Sequence, residues 1–185
     1  QIHSVFAGIA GSHVRSLNSH GIVAIRNKEV TSEDVDRVID AARAVAIPAD
    51  QKILHILPQE FIIDTQDGIR EPVGMSGARL ESLVHIVIGP SAGRQNLDKA
   101  IKRAGLSVER MMLEPLAAAE ATLTDDDKEY GCALVNIGSE ITSIMIFGRG
   151  AVQHTAVFPF GSLHFTLHCG QLSTIRRSLG KPPGV

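Results

Sequence analysis

The chain has 185 residues, of which 44% are hydrophobic and 21% are charged, and its formal net charge is -2. This length allows one or two small domains with their own cores, and the near-neutral charge excludes a general attraction to nucleic acid or anionic lipid. No apolar run approaches the roughly 20 residues of a transmembrane helix. Two cysteines are too few for a disulfide framework, which favours a reducing compartment.

The first part of the chain predicts strands followed by one helix. Residues 2–10 are apolar with small side chains and predict a buried strand. Residues 14–26 predict a hairpin in which Gly21 supplies the unusual backbone angles of the turn. Thr31 begins the clearest helix, because Asp34 three residues later completes a capping box and apolar residues then repeat at helical spacing until a proline ends the pattern.

The next segment predicts further strands around a long loop. Residues 53–57 and 61–63 are strand-like, and Pro58 between them indicates an edge or a bulge. Residues 65–77 are rich in Gly, Asp and Pro and predict a loop, whereas residues 83–88 predict a second strong strand. The order strand, helix, strand, strand therefore describes this half of the chain.

The second half of the chain predicts helices first and then strands joined by tight turns. The predicted elements are a short amphipathic helix over 97–104, a strand over 108–113, an alanine-rich helix over 115–123, an acidic loop over 124–129, and strands over 132–137, 144–147 and 152–158. Together with the first half, they predict an α+β fold.

The strand–turn–strand segment at residues 133–143 is the first candidate for chemistry. A tight polar turn between buried strands can present several backbone N–H groups to one anion, glycine lets the backbone approach a phosphate, and hydroxyls add donors. The alternative is an ordinary hairpin with a polar tip. From this segment alone, the ordinary hairpin is favoured.

Glu114 is the second candidate, because it precedes Pro115 at a predicted strand-to-helix junction. A carboxylate there could position a metal-bound water, but acids also favour helix N-termini for purely structural reasons. His164 and His168 lie four residues apart without an evident third metal ligand, so no metal site is predicted. No nucleophile with a base at recognisable spacing and no Walker-type loop is visible.

Several segments resemble, in order and spacing, the FtsA family of actin-like bacterial cell-division proteins. They are His55–Phe61, Gln66–Ile69, Pro72–Leu80 and Val84–Val87, with Thr31–Val35 and His154–Thr155 in their expected places. The resemblance runs from residue 2 to about residue 167, and its most specific part is the block from Pro58 to Gly77.

The resemblance implies an α+β fold in which an SHS2 (strand–helix–strand–strand) module precedes incomplete parts of an actin-like, RNase H-like ATPase domain. It divides the chain into the module at residues 1–89, the end of the first RNase H-like half at 90–129, and the start of the second half, with a divergent tail, at 130–185. It also implies that the family's first phosphate loop, adenosine-binding segment, FtsZ-binding subdomain and C-terminal membrane helix lie outside these residues.

The function that the resemblance implies is that of a cell-division adaptor. Such a protein self-assembles through the SHS2 module and links the FtsZ ring to the membrane, from the cytoplasm, at the inner face of the membrane at the division site. It also contacts later division proteins and binds no nucleic acid, and its membrane contact is made only through the C-terminal helix. The alternatives are an actin-like ATPase that binds and hydrolyses ATP, and an actin-like adaptor of a pilus machine.

ATP and Mg are the cofactors that the resemblance implies for the full-length family. The positions that match its cofactor-binding residues are Glu114, Asn136, Gly138, Ser139 and Thr142. The family's hairpin usually reads Asp-Ile-Gly-Gly-Gly-Thr-Thr-Asp, whereas here an amide replaces the first acid and Glu140 replaces a glycine. A like-charge pair near 4 Å costs about 1 to 4 kcal/mol. These departures weaken the expectation of nucleotide binding and argue against an enzyme.

Overall fold

The computed structural model describes residues 2–159, in which the chain forms nine strands and four helices. The strands are β1 (Ser4–Ile9), β2 (Arg15–Ala24), β3 (Gln51–Ile63), β4 (Gln66–Ile69), β5 (Arg79–Pro90), β6 (Ser107–Leu113), β7 (Cys132–Ile137), β8 (Ile141–Gly148) and β9 (Ala151–Pro159). The helices are α1 (Ser32–Arg43), α2 (Ser91–Arg103), α3 (Glu114–Thr122) and α4 (Asp125–Tyr130). This composition confirms the predicted α+β class.

The strands form three sheets within the described residues. An antiparallel four-stranded sheet has the order β2-β5-β3-β4. From here on, the module means this sheet together with α1 (residues 15–90); β1, which lies within the expected range 1–89, pairs outside it. A parallel pair joins β1 to β6, and an antiparallel sheet has the order β7-β8-β9. We call these two sheets, together with α2, α3 and α4, the flanking units.

Helix α1 forms where the capping box predicts it. The Thr31 hydroxyl accepts the Asp34 N–H at 3.2 Å, and Asp34 Oδ2 accepts the Thr31 N–H at 3.1 Å. This exchange satisfies two of the backbone donors that a helix start leaves free. Val38 and Ala42 lie fully buried on the face of α1 that packs against the sheet.

The predicted hairpin around Gly21 is wrong. Strand β2 runs without a turn and pairs with β5 over ten residues, from Arg15 opposite Ile88 to Ala24 opposite Arg79. This long pairing outweighs a local turn signal. Gly21 is needed for a different reason, because a Cβ there would collide with the backbone of α1, 2.7 Å from the Ala42 nitrogen.

Three further predictions are settled by the strand register and by capping. Strand β3 continues through Pro58 with a register shift against β5, which confirms the bulge. The predicted loop over 65–77 contains the short strand β4, which pairs with the end of β3. The predicted acidic loop over 124–129 is wrong, because Thr124 caps the helix α4 through a capping box with Asp127.

Buried side chains form two cores inside the module and one that joins it to the flanking units. The module cores lie between α1 and the sheet and include Leu80 and Ile86. The joint core packs Val87 of β5 against Leu113, Met145 and other residues of the flanking units. This shared core therefore joins the flanking units to the module.

Candidate functional site

A cleft of about 540 Å³ lies between the end of β1 and the hairpin that joins β7 to β8. Strands β1 and β6 are parallel neighbours, so their carboxyl ends meet at one edge of their sheet, where ligands commonly bind in α/β folds. The lining residues are Ala10, Gly11, Ser12, His13, Glu114, Asn136, Gly138, Ser139, Glu140, Ile141, Ser143 and Pro159.

Glu114 enters this cleft from the first turn of α3, directly after β6. Pro115 occupies the start of the helix, where its missing N–H leaves no hydrogen bond unmade. The Glu114 carboxylate accepts a hydrogen bond from the Asn136 amide, with Nδ2 and Oε1 3.2 Å apart. The amide therefore holds the carboxylate against the hairpin.

The hairpin itself is tight and polar at its tip. Asn136 pairs with Ser143 across the two strands, and the Gly138 N–H donates to the Ile141 carbonyl at 2.9 Å. A Cβ at Gly138 would lie 3.1 Å from that carbonyl oxygen, so glycine permits the close turn. Ser139 and Glu140 form the exposed tip.

The cleft brings together Glu114, Asn136, Gly138 and Ser139, but Thr142 does not line it. Thr142 is fully buried beneath the hairpin, and its hydroxyl has no hydrogen-bond partner among residues 2–159. Side chains alternate between the two faces of a strand, so the register of β8 decides which hydroxyl faces the cleft. Ser143, one position further along, faces it instead.

The charge of the cleft is negative. Glu114 and Glu140 line it, and its lining among the described residues contains no Lys or Arg. Within residues 2–159, no group of three or more His, Cys, Asp and Glu side chains could by itself hold a metal ion. His164 and His168 lie outside the described residues.

Polar side chains of the module also contact the flanking units. His55 Nε2 accepts the Leu113 N–H at 2.8 Å, and Gln59 Nε2 donates to the Val152 carbonyl at 2.9 Å. His85 contacts Asn18 Oδ1 at 2.6 Å and Thr155 Oγ1 at 2.9 Å. Sequence reasoning missed these contacts, for which the only signal was histidine within apolar strand segments.

Burial alters the protonation of both histidines. It lowers the pKa of His55, and burial together with the neighbouring His154 lowers the pKa of His85 to about 4. Because Asn18 Oδ1 can only accept, His85 Nδ1 carries the proton, and Nε2 of the neutral ring accepts the Thr155 hydroxyl. Both rings are therefore neutral at neutral pH.

None of the helices formed by residues 2–159 has the length and apolar character that crossing a membrane requires.

Comparison with known proteins gives consistent family relationships. The model of the "SHS2 domain inserted in FTSA" matches residues 11–88. Over 86%, 87% and 99% of its length, the chain is 57%, 50% and 37% identical to the cell division protein FtsA of Pseudomonas aeruginosa, Neisseria meningitidis and Escherichia coli K12. It covers 38%, 39% and 42% of these relatives, and so spans about two-fifths of their length.

A solved structure shows the same fold. The chain superimposes on a chain of a PilM-PilN type IV pilus biogenesis complex with a TM-score of 0.54 and 17% sequence identity. The match covers 84% of this chain and 42% of the other. At this identity the match supports the actin-like fold and carries no statement about function.

Proposed function

The chain belongs to the FtsA family of cell division proteins, and we propose that it is part of an adaptor that self-assembles through the module and links the FtsZ ring to the membrane. In this proposal the protein lies in the cytoplasm at the division site and contacts later division proteins. The membrane contact in this proposal is the C-terminal helix of the full-length family. The family match over the module is the observation that carries the proposal.

The outer strand of the module supports self-assembly. Strand β2 lies at the edge of the four-stranded sheet and pairs only with β5 among the described residues. Exposed strand edges pair readily with another strand. Ile22 on this strand is apolar and 52% exposed, which suits a contact with a second copy.

A charge on this edge tests self-assembly. We expect Ile22→Glu to lower the sedimentation coefficient of the assembled protein towards that of the monomer, because like charges on identical edges repel. Tyr130→Glu, at an 87% exposed position of α4 outside the module, is the matched control and should assemble normally. Normal assembly of Ile22→Glu, with an unchanged circular dichroism spectrum, would refute the edge as the contact.

The altered hairpin weakens the expectation of nucleotide binding from sequence, but we also propose that the cleft still binds ATP as its Mg complex and does not hydrolyse it efficiently. Two carboxylates line the cleft, and the part of its lining that the structure describes contains no Lys or Arg, so a bare triphosphate would be repelled. Mg²⁺ neutralises phosphate charge and binds proteins through one or two carboxylates plus waters and phosphates. Glu114 would hold the hydrated ion, and backbone N–H groups at the hairpin tip would face phosphate oxygens.

The exposed carboxylate of Glu140 gives a specific test of this charge argument. We expect Glu140→Gln to raise the affinity for Mg-ATP by up to about tenfold in isothermal titration calorimetry, because it removes one negative charge from the lining. Glu71→Gln neutralises an exposed acid outside the cleft and should leave the affinity unchanged. Equal binding of all three proteins would show that the nucleotide does not approach the hairpin tip.

A further inference from the structure

We propose that His55, on strand β3 of the module, is a positioning residue for the cleft. Its neutral ring fixes the junction between β6 and α3, from which Glu114 reaches the hairpin. The role in ligand binding rests on the proposed nucleotide function of the cleft. The positioning itself concerns contacts within this chain.

The hydrogen bond between His55 and the junction satisfies a buried donor. Leu113 is the last residue of β6 and is buried, and its N–H donates to His55 Nε2 at 2.8 Å. Among residues 2–159, strand β6 pairs only with β1, so a donor on its other side needs a partner outside the β1–β6 pair. A buried N–H without an acceptor is unfavourable, and His55 supplies the acceptor from the module.

A local irregularity of β3 brings the histidine to this position. The register of β3 against β5 shifts between Ile53 and His55, so that Leu54 is the extra residue. Such bulges re-aim the side chains that follow them. Leu54 packs against the joint core, and His55 is directed to the end of β6.

The fixed junction then places the carboxylate of the cleft. Glu114 follows Leu113 directly, and its Oε1 accepts the Asn136 amide of the hairpin at 3.2 Å. A continuous path therefore runs from the module through His55, the junction and Glu114 to the hairpin. Loss of the His55 acceptor frees the backbone at the point where α3 begins, and the carboxylate loses its fixed direction.

Two substitutions distinguish the effect of the hydrogen-bond acceptor on His55 from the effect of its side-chain shape. His55→Leu removes the acceptor and keeps apolar bulk, whereas His55→Gln keeps an acceptor at a similar reach. Should His55→Leu fail to fold, His55→Met fills the same space with a more adaptable side chain. The protection of the backbone amides of residues 79–90 in β5 against hydrogen exchange shows whether the module is intact in each variant.

The readouts are amide hydrogen exchange in residues 107–122 and 132–143 and the dissociation constant for Mg-ATP, in the full chain. We expect His55→Leu to speed exchange in both segments and to weaken Mg-ATP binding by about tenfold, and His55→Gln to restore most of both. Unchanged exchange at the junction, or faster exchange there with an unchanged hairpin, would overturn the proposal. So would a His55→Gln variant that behaves like His55→Leu.

These outcomes distinguish the inference from the proposed function. If the wild-type chain binds no Mg-ATP, the nucleotide proposal fails, and the exchange in the two segments alone decides the positioning role. If the wild type binds and His55→Leu binds equally well despite faster exchange at the junction, the cleft binds nucleotide without His55 and the inference is wrong.

Discussion

The module and the flanking units differ in how completely they bury their apolar side chains. The module encloses two cores between α1 and its sheet, with Leu80 and Ile86 fully buried. In the flanking units, Phe6 of β1 is 64% exposed and Ile137 of β7 is 68% exposed within the described structure. Among the described residues, the module therefore encloses its cores more completely than the flanking units do.

This contact combines an apolar core with directional hydrogen bonds. Val87 of the module lies in the joint core, and Ser16, Gln59 and His85 contact the backbone or side chains of β9. Apolar packing tolerates sliding, but hydrogen bonds with defined partners fix one arrangement. We infer that the polar contacts set the orientation of the flanking units and that the apolar core supplies most of the free energy.

The largest expected effect comes from a close approach inside the module. Gly21→Ala should lower the free energy of unfolding by about 3 kcal/mol or more, because the new Cβ would collide with the backbone of α1. Gly8→Ala in β1 is the matched control, since its Cβ would lie 3.8 Å from Glu114 Cβ, an ordinary contact. Urea unfolding measures both. Equal effects would remove the contrast between a closed module and looser flanking units.

An acid-sensitive contact between the module and β9 gives the next largest effect. The pKa of His85 is about 4 in the folded chain, below the ordinary value of 6.5, so the unfolded chain binds the proton more readily. Its stabilising contribution is complete above about pH 6.5 and is lost as the pH falls towards 4, by up to about 3 kcal/mol. Burial lowers the pKa of His55, which acts in the same direction.

Urea unfolding at several pH values between 7 and 4.5 measures this loss. His85→Gln should flatten the dependence of the unfolding free energy on pH, whereas His3→Gln, at an exposed position, should not. An identical pH dependence in the wild type and in His85→Gln would mean that carboxylates alone account for the acid response.

Local signals in the sequence predict the elements whose cause is local. The Thr31–Asp34 capping box predicts the start of α1, and Pro58 predicts an edge or a bulge, of which β3 shows the bulge. Gly21 leads to a wrong prediction because the reason for a glycine at this position is not local. The backbone of α1, which is not adjacent in sequence, leaves no room for a Cβ there. The acidic segment at 124–129 is predicted wrongly although its signal is local. Its capping box indicates a helix, but the run of charges favours a loop.

The candidate site shows the same division between features with a local cause in the sequence and features with a non-local one. The resemblance groups Glu114 and Asn136 among the cofactor-binding positions, and the structure brings them within hydrogen-bond distance. The resemblance groups Thr142 with them as well, but the strand register turns its side chain into the interior. His55 could not be selected from the sequence, because its role depends on a bulge and on a strand more than fifty residues away.

The smallest expected effect lies at an exposed contact between the module and α4. Arg70, directly after β4, forms an ion pair with Glu129 and donates to the Arg149 carbonyl at 2.8 Å. Both side chains of the ion pair are about half exposed, so solvent screens the attraction, and a double-mutant cycle of Arg70→Ala and Glu129→Gln should give a coupling of about 0.2 to 1 kcal/mol. High salt should reduce the coupling, because dissolved ions screen the attraction between the two charged side chains. A coupling of zero at low salt would mean that this ion pair does not help to orient the flanking units on the module.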